Sequence, residues 1–293
     1  EKMTVNIIVE NMKNAFDYYK KGLDHGKLEE YQEAIENFNK AIELDPNSVS
    51  FYFARGDVYE ILRKYEEAIN DYDKAIKLEP NNSYFYYKKG LAYEKMEKYE
   101  EAVNNYNKAI KLEPDDVSFY CTRGFVYKKM EKYQEALNDY DKAIELDSNV
   151  NSVYYYNRGN AYFSLGKFEE AIQDYNKAID LNPNDDLSYS NRGNAYFSLG
   201  KFEDAIQDYN KAIDLNPNDD LSYNNKGDAY FSLGKFEDAI QDYNKAIDLN
   251  PNNASYYNNR GTTFTNLEKY EEAIQDYNKT IDLNPNDNYA YFN

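Results

Sequence analysis

The amino-acid sequence predicts an all-α fold, an α-solenoid of antiparallel helix pairs, from the spacing of glycine, alanine and proline. Eight glycines recur at steps of 34 residues, with a single step of 35, and eight alanines follow them in the same phase. All seven prolines share one further phase. A repeat of this length indicates stacked helical units rather than one globular core. The glycines are Gly22, Gly56, Gly90, Gly124, Gly159, Gly193, Gly227 and Gly261, and the prolines are Pro46, Pro80, Pro114, Pro183, Pro217, Pro251 and Pro285.

The repeats divide the chain into segments. Residues 1–14 form a lead-in, repeats one to four occupy 15–150, repeats five to eight occupy 152–287, and 288–293 begin a ninth repeat. Neither half contains a linker long enough to separate domains, so we expect one continuous solenoid. Because repeat arrays need polar ends, we also expect that the natural array continues past this chain or that its ends pack against something.

Each repeat contains two helical patterns, as the sixth repeat illustrates. The first pattern runs from about Tyr189 to Leu199 and the second from about Phe202 to Leu215, with aromatic and small residues recurring at helical spacing in both. Gly200 separates the two patterns, and a proline-containing loop ends the second. Acidic residues at the start of the second pattern and a lysine near its end complement the helix dipole.

The repeats share one consensus, which resembles a known family. Nearly every unit reads Tyr-x-x-(Arg/Lys)-Gly-x-x-Tyr, then Ala-x-x-x-Tyr-x-x-Ala, then Pro. Over residues 15–287 this pattern resembles the tetratricopeptide repeat. The resemblance implies a right-handed superhelix whose concave groove is lined by the first helix of each repeat. The chain departs from the family pattern with tyrosine for tryptophan at the fourth position, a cation for leucine at the seventh, and Ser148 for one proline, with a residue inserted around 149–151.

Composition argues against several functional classes. Lys plus Arg number 34 and Asp plus Glu 53, and the resulting net charge of −19 disfavours nucleic acid and anionic membranes as partners. One cysteine and one histidine exclude thiolate zinc sites and multi-histidine metal sites, and no acid–base pair or nucleophilic set recurs. The sequence therefore predicts no enzyme, no cofactor and no metal site. It leaves open calcium binding by the loops 180–186 and 214–220, which alternate oxygen ligands but lack the turn glycine and closing glutamate of an EF-hand. It shows no signal-peptide pattern and no membrane-length apolar run, and it does not identify a compartment.

The abundance of aromatic residues first suggests a surface on which bases or sugars stack. Tyrosine and phenylalanine number 49, and 31 of them occupy the fourth, eleventh, seventeenth and twenty-fourth positions of the repeats. Those positions lie where helices face one another. We therefore expect most of these rings to pack in the core.

A face of the first helix is the candidate binding surface. Helical spacing places the fifth, ninth and twelfth residues of a repeat away from the partner helix, with the sixth at the edge of that face. In repeats five to eight these positions carry mostly asparagine and phenylalanine, whereas the twelfth position of repeats one to four is mixed. The candidate groove residues are Asn157, Asn160, Phe163, Asn191, Asn194, Phe197, Asn225, Asp228, Phe231 and Asn259.

A row of asparagines at the sixth position suggests how the groove could bind. It consists of Asn157, Asn191, Asn225 and Asn259, with Asn160 and Asn194 beside it. An amide side chain donates and accepts at once, so a row of amides could hold an extended peptide backbone without reading its sequence. The spacing resembles the asparagine ladder of the O-linked N-acetylglucosamine transferase repeats. Duplication, however, copies whatever a repeat contains, and asparagine caps and solvates helix surfaces anywhere, so the row could also arise without a binding role.

The cation at the seventh position varies together with the residue at the twenty-third. Every arginine has an aspartate there, whereas lysine is found with asparagine as well as aspartate. A planar guanidinium suits a bidentate carboxylate, so we expect a partly buried ion pair between the two helices of a repeat. Duplication alone would also copy such a pair. The expected pairs are Arg55 with Asp71, Arg123 with Asp139, Arg158 with Asp174, Arg192 with Asp208, and Arg260 with Asp276.

Two functional hypotheses follow. The first is a non-enzymatic scaffold that holds a peptide or helix of a partner protein in the groove, as the family resemblance implies. The alternative is a structural protein that self-assembles end to end into a filament, with Tyr289, Tyr291 and Phe292 exposed at one end. The family members that clamp a terminal carboxylate use lysine at the fifth position, which no repeat of this chain has.

Overall fold

A computed structural model describes residues 2–147 and 151–285, with side chains from residue 10 onward, and every regular element in that part is an α-helix. The helices are α1 (Lys2–Lys27), α2 (Tyr31–Leu44), α3 (Val49–Ile61), α4 (Tyr65–Leu78), α5 (Ser83–Lys95), α6 (Tyr99–Leu112), α7 (Val117–Lys129), α8 (Tyr133–Leu146), α9 (Ser152–Ser164), α10 (Phe168–Leu181), α11 (Asp186–Ser198), α12 (Phe202–Leu215), α13 (Asp220–Ser232), α14 (Phe236–Leu249), α15 (Ala254–Asn266) and α16 (Tyr270–Leu283). This arrangement confirms the all-α helical-repeat fold. Within the described ranges no helix combines the length and apolarity needed to cross a membrane.

The helices form two compact units, an N-terminal unit of Glu1–Asp147 and a C-terminal unit of Ser148–Asn293. In each unit the two helices of a repeat pack together, and the second helix packs on the first helix of the next repeat. The division falls where the sequence predicts one inserted residue. Residues 148–150, beside or within the region of that insertion, and the predicted start of a ninth repeat (288–293) lie outside the described residues.

The core of a repeat is a large ring packed against a glycine. Tyr209 is 1% exposed, and a Cβ atom added to Gly193 would lie only 2.7 Å from its Cε1 atom. Ala205 and Ala212, on the same helix as Tyr209, are fully buried. Small residues therefore let the paired helices approach closely, and the ring fills the space between them. The ring at this twenty-fourth position is buried in every repeat, whereas most rings at the other three aromatic positions are half-buried.

Each first helix is followed by a residue whose backbone is left-handed. In α11 the helix ends before Gly200, whose φ is +73°, and Lys201 N–H then donates to the Tyr196 carbonyl at 2.9 Å. This is the Schellman arrangement, which satisfies carbonyls at a helix end. The fifth, sixth and seventh repeats use glycine at this position, whereas the other repeats use glutamate or arginine with φ near +60°.

The second helix of the sixth repeat has the predicted bounds, but its first helix begins earlier than predicted. Helix α11 starts at Asp186, three residues before Tyr189. The Ser188 hydroxyl donates to the Asp185 carboxylate, so the polar residues after the proline belong to the helix start rather than to the loop. The sequence pattern missed this because it followed the aromatic residues alone.

Candidate functional site

The arginines at the seventh position join the two helices of their repeat. In all five pairs Nη2 lies 2.5–2.7 Å from the aspartate Oδ1, and Nε donates to Oδ2 at 2.7–2.9 Å. The aspartate side chains are 5–8% exposed and the arginine side chains 18–20%. The pairs are Arg55–Asp71, Arg123–Asp139, Arg158–Asp174, Arg192–Asp208 and Arg260–Asp276. The aspartates of three of these pairs lie beside the helix-packing glycine, with their Cβ atoms 3.2–3.3 Å from a Cβ atom added there.

A third contact of these arginines was not predicted. Arg192 Nη1 donates at 2.6 Å to Asn176 Oδ1, on the second helix of the preceding repeat, so the guanidinium bridges three helices. Arg55, Arg123 and Arg260 make the same contact. The twenty-fifth position, which supplies this acceptor, is asparagine or aspartate in every repeat. That regularity is the sequence signal that could have identified the contact.

The seventh-position lysines do not share one partner. Lys89 contacts Asp73, on the preceding repeat, at 2.5 Å, whereas Asn105 donates to the Glu101 carbonyl of its own helix. Lys226 keeps an aspartate of its own repeat, Asp242, at 2.9 Å. An ammonium is a point charge on a flexible stem, so it takes the carboxylate within reach rather than a fixed partner.

The groove face of the C-terminal unit carries a chain of internal hydrogen bonds. Tyr209 OH donates to Asn194 Oδ1 at 2.8 Å, and Asn225 Nδ2, from the next repeat, donates to the same oxygen at 3.0 Å. The repeats on either side have the same arrangement. These further bonds join Tyr175 and Asn191 to Asn160 Oδ1, and Tyr243 and Asn259 to Asp228 Oδ1.

This chain of bonds changes the interpretation of the asparagine row. The sequence suggested that Asn191, Asn225 and Asn259 present free amides to a peptide, but their Nδ2 groups donate to the ninth-position residues of the preceding repeats. The physical reason is that each amide reaches the ninth-position side chain of the preceding repeat, whose half-buried Oδ1 atom needs hydrogen-bond donors. Asn157, the first member of the row, makes no hydrogen bond within the described residues.

The ninth-position residues are consequently the ones oriented toward the groove. Because Asn194 Oδ1 accepts two internal hydrogen bonds, its Nδ2 group is the atom left for other partners, and it has none in the described part of the chain. Asn160 has the same arrangement. Unbonded amide groups therefore occur at the ninth position, at Asn160 and Asn194, whereas Asn191 and Asn259 at the sixth position each donate two internal bonds.

Two cavities of similar size lie on this face, one repeat apart. The first cavity has a volume of about 230 Å³ and is lined by Phe163, Asn194, Phe197, Ser198, Tyr209, Asn225 and Asp228. The second cavity has a volume of about 250 Å³ and is lined by Phe197, Asp228, Phe231, Ser232, Tyr243, Asn259 and Thr262. Nine of the ten predicted groove residues therefore line a cavity or take part in the hydrogen-bonded chain beneath it.

The twelfth-position phenylalanines form the apolar walls of these cavities. Phe197 is half-buried and packs edge-to-face on Phe202 of its own repeat, with ring centroids 5.3 Å apart. Phe163 and Phe231 make the matching contacts with Phe168 and Phe236 at 5.2 and 5.4 Å. Each ring is held by packing on one side and faces the groove on the other. Such rings offer contact area at low entropic cost.

Asp228 is the one charged residue among the predicted groove residues. Its Oδ1 accepts from Tyr243 and Asn259, and Asn224 Nδ2 donates to its Oδ2 at 3.2 Å. Burial raises the pKa of this carboxyl to about 6, and the hydrogen bonds from Tyr243 and Asn224 oppose the shift. No lysine or arginine of the described chain pairs with it. Asp228 is therefore a half-buried carboxylate that is largely ionised at neutral pH.

The lone cysteine and the lone histidine show no reactive arrangement. Burial raises the pKa of the Cys121 thiol to about 12, which keeps it protonated at neutral pH. His25 Nδ1 lies 2.6 Å from Glu30 Oε2, so its side chain links the end of α1 to the residue before α2. Across residues 2–147 and 151–285, no group of three or more His, Cys, Asp or Glu side chains could hold a metal ion.

Family models match most of the chain. The model described as TPR repeat matches residues 18–62, 63–97, 95–131, 159–200, 193–233 and 227–267. Two models described as Tetratricopeptide repeat match residues 117–150 and 254–287, and residues 139–173.

Individual relatives match shorter parts or at lower identity. An uncharacterised protein of Methanocaldococcus jannaschii is 54% identical over 37 residues, which are 13% of this chain and 43% of that protein. The crystal structure of YrrB, described as a TPR protein with an unusual peptide-binding site, is 26% identical with a TM-score of 0.53, and the match covers 64% of this chain and 96% of that one.

The crystal structure of the APC/C hetero-tetramer Cut9–Hcn1 contains a chain of the same fold. It is 18% identical with a TM-score of 0.62, over 89% of this chain and 51% of that one. The present chain thus spans about half of that chain, and its match with the Methanocaldococcus protein spans less than half of that protein. These likenesses concern the repeat architecture.

Proposed function

Because the chain belongs to the tetratricopeptide repeat family, we propose that it is a non-enzymatic scaffold that holds an extended segment of a partner protein. The binding surface is the groove of the C-terminal unit, defined by the two cavities and the residues that line them. Neither a reactive thiol nor a metal-binding group occurs in the described part of the chain, so the proposal includes no chemical step.

The observation that carries this proposal is the recurrence of one cavity in two adjacent repeats. Each cavity combines a pair of phenylalanine walls with polar groups at its floor, and the two share Phe197 and Asp228. The side chains and backbone carbonyls of an extended peptide also recur at regular intervals along its length. The cavities would receive side chains, and the free amide donors of Asn160 and Asn194 would bind carbonyls.

Similarity to a known peptide-binding protein adds support. YrrB, at 26% identity, is described as having a peptide-binding site, and the match covers nearly all of its chain. Groove binding by this chain is the corresponding proposal. The filament alternative depends on Tyr289, Tyr291 and Phe292, which lie outside the described residues.

A peptide selection tests the proposal without knowledge of the natural partner. The full chain is immobilised, a phage-displayed library of random dodecamers is selected on it, and the enriched peptides are synthesised with a fluorescent label. We expect Phe197→Ala to weaken their binding by about tenfold, as removal of a central aromatic anchor does. Leu181→Ala removes an apolar residue that is 49% exposed and lies outside both cavities, and it should leave binding unchanged.

Stability must be separated from binding in this test. Phe197 packs on Phe202, so Phe197→Ala also removes a core contact, and Phe197→Leu is included because it keeps an apolar side chain. Binding is measured at a temperature where circular dichroism shows all three variants fully folded. A library that yields no enriched peptide, or peptides that bind Phe197→Ala as tightly as the unaltered chain, would contradict the proposal.

A further inference from the structure

We propose that Asp228 binds a lysine or arginine side chain of the partner segment between the Phe197 and Phe231 rings. This inference rests on the proposed groove function and adds the chemical class of one partner residue. It assigns Asp228 as the residue that determines specificity in a groove that is otherwise neutral.

The first argument is the exchange of amide for carboxylate at one fixed position. Asn160, Asn194 and Asp228 occupy the ninth position of consecutive repeats, and in each the Oδ1 atom accepts from a tyrosine hydroxyl and from the next repeat's asparagine. The second atom of the side chain is therefore directed to the groove. At Asn160 and Asn194 that atom is an amide donor, and at Asp228 it is a carboxylate oxygen that accepts from Asn224 Nδ2 at 3.2 Å and has a second lone pair for another donor. The exchange turns a site for carbonyls into a site for cations.

The second argument is that the chain itself neutralises the equivalent carboxylate elsewhere. Asp57 occupies the ninth position of the second repeat and accepts a hydrogen bond from Tyr72 at 2.9 Å, as Asp228 does from Tyr243. Lys88, at the sixth position of the next repeat, places its Nζ atom 3.2 Å from Asp57 Oδ1 and 2.6 Å from Oε2 of Glu60, at the twelfth position, so its charge is shared between two carboxylates. It also lies 5.9 Å from the centroid of the Tyr72 ring. Burial raises the pKa of the Asp57 carboxyl, and the Lys88 ammonium opposes that rise.

The residue that corresponds to Lys88 beside Asp228 is Asn259. It donates one hydrogen bond at 3.2 Å but carries no charge. The N-terminal unit thus shows an ammonium held between carboxylates at the ninth and twelfth positions. The C-terminal unit keeps the ninth-position carboxylate, has the Phe231 ring in place of Glu60, and lacks the ammonium. A basic side chain from a partner would supply the charge that Lys88 supplies internally.

The third argument is the shape and charge around Asp228. Asp228 and Phe197 line both cavities. The second cavity is also lined by the rings of Phe231 and Tyr243. Aromatic faces attract cations, and a hydrocarbon stem fits between two rings while its charged end reaches a carboxylate. The net charge of −19 favours the approach of a basic segment over an acidic one. A divalent cation fits less well, since calcium takes six to eight oxygen ligands and Asp228 is the only carboxylate that lines these cavities.

The test compares selections on two proteins. The dodecamer library is selected at pH 7.4 on the unaltered chain and on Asp228→Asn, which places at position 228 the residue that repeats five and six already carry. We expect lysine and arginine to be enriched at one position of the peptides from the unaltered chain and not in those from Asp228→Asn. Asp238→Asn removes the same charge from an exposed residue of the same repeat, and it should leave the enrichment intact.

A quantitative arm distinguishes a side chain from a terminal amine. An enriched peptide is synthesised with an acetylated N-terminus, once with its basic residue and once with glutamine in that place. For the unaltered chain the glutamine peptide should bind about five- to tenfold more weakly, in the range of a partly buried charge pair. For Asp228→Asn the two peptides should differ by less than about twofold. Equal affinity of both peptides for the unaltered chain would overturn the assignment, as would loss of binding on acetylation alone.

The pH dependence provides a separate readout. The titratable groups that face Asp228 are Tyr209 of α12 and Tyr243 of α14, both neutral throughout the titration because burial raises their pKa, and its other polar neighbours are amides. Protonation of Asp228 removes its charge, so affinity for the basic peptide should fall as the pH is lowered from 7.5 to 5. Affinity for the glutamine peptide should stay level. A flat profile for the basic peptide would contradict the inference.

The outcomes separate the inference from the proposed function. Enriched peptides with no basic position would overturn the role of Asp228 and leave groove binding in place. A library from which neither protein enriches any peptide would contradict both.

Discussion

Removing either partner of the Arg192–Asp208 pair should destabilise the protein far more than removing both. The Asp208 side chain is 8% exposed and that of Arg192 is 18% exposed, and they share two hydrogen bonds of 2.6 and 2.7 Å. Burial raises the pKa of the Asp208 carboxyl, and Arg192 offsets that rise only in part. Each side chain of the pair therefore offsets the cost of burying the charge of the other, and the pair adds little net stability compared with apolar side chains in the same place.

The magnitudes follow from that exposure. Breaking a buried pair costs about 3–5 kcal/mol, and because nearly a fifth of the arginine side chain reaches water we expect about 3 kcal/mol for Arg192→Leu or Asp208→Ala alone. Arg192→Leu with Asp208→Ala should cost about 1–2 kcal/mol, since no charge is then left unpaired and only packing and the Asn176 contact are lost. The coupling energy between the two sites should therefore be about 4–5 kcal/mol.

Urea unfolding followed by circular dichroism measures these differences on the full chain. Glu145→Ala serves as the control, because it breaks an exposed pair with Lys142 at 3.0 Å and should cost less than about 0.5 kcal/mol. The penalty of Arg192→Leu should shrink as the pH is lowered, since the raised folded-state pKa of Asp208 makes the protonated form the cheaper one to bury. Single variants that each cost less than 1 kcal/mol, or a double variant that costs the sum of the two, would refute the reasoning.

Three further predictions are checked by the same unfolding measurement. Glu131→Gly should stabilise the protein by about 0.5–1 kcal/mol, because the φ of Glu131 is +58° and glycine adopts this conformation without strain. Gly200→Ala should destabilise it by about 1 kcal/mol for the same backbone reason, although no atom lies within 4 Å of the added Cβ. Equal effects of the two changes would contradict a backbone origin. Tyr209→Phe should cost about 1 kcal/mol of stability, because it removes the hydrogen bond from the Tyr209 hydroxyl to Asn194 Oδ1. Tyr140→Phe should cost less than about 0.5 kcal/mol, because the Tyr140 hydroxyl has no partner in the described chain. The reverse order would be inconsistent with the structure. Gly193→Ala should cost about 2 kcal/mol or more, since the added Cβ meets a buried ring at 2.7 Å, and a neutral result would mean that the helix pair is loosely packed.

The sequence predicted those features that a fixed spacing determines. The phase of glycine and alanine indicated the helix pairs, and the bounds of α12 agree with the prediction because Gly200 and Pro217 lie directly outside them. The joint variation of the seventh and twenty-third positions indicated which residues to pair, as for Arg192 and Asp208. In each case the information lies within one repeat.

Features that join different repeats were missed. Asn176 belongs to the repeat before Arg192, and its amide looked like any solvated asparagine. Asn191 appeared free to bind a peptide, because the sequence does not show that Asn160 Oδ1 of the preceding repeat lies 2.9 Å from its Nδ2. The special character of Asp228 depends on a comparison with Asp57 and Lys88, which only three-dimensional positions allow. Stacking geometry decides such contacts, and spacing along the chain does not.

The most direct test of groove binding uses the side-chain amide signals of asparagine in a ¹⁵N NMR spectrum of the full chain. An enriched peptide is titrated, and two sets of asparagines from the C-terminal unit are compared. Asn194, Asn225 and Asn259 line the cavities, whereas Asn176, Asn210 and Asn244 bind the seventh-position cations on the other side of the first helix. The account predicts that the first set shifts in proportion to bound peptide while the second set does not move. Shifts confined to the second set, or none in either set at saturation, would contradict it.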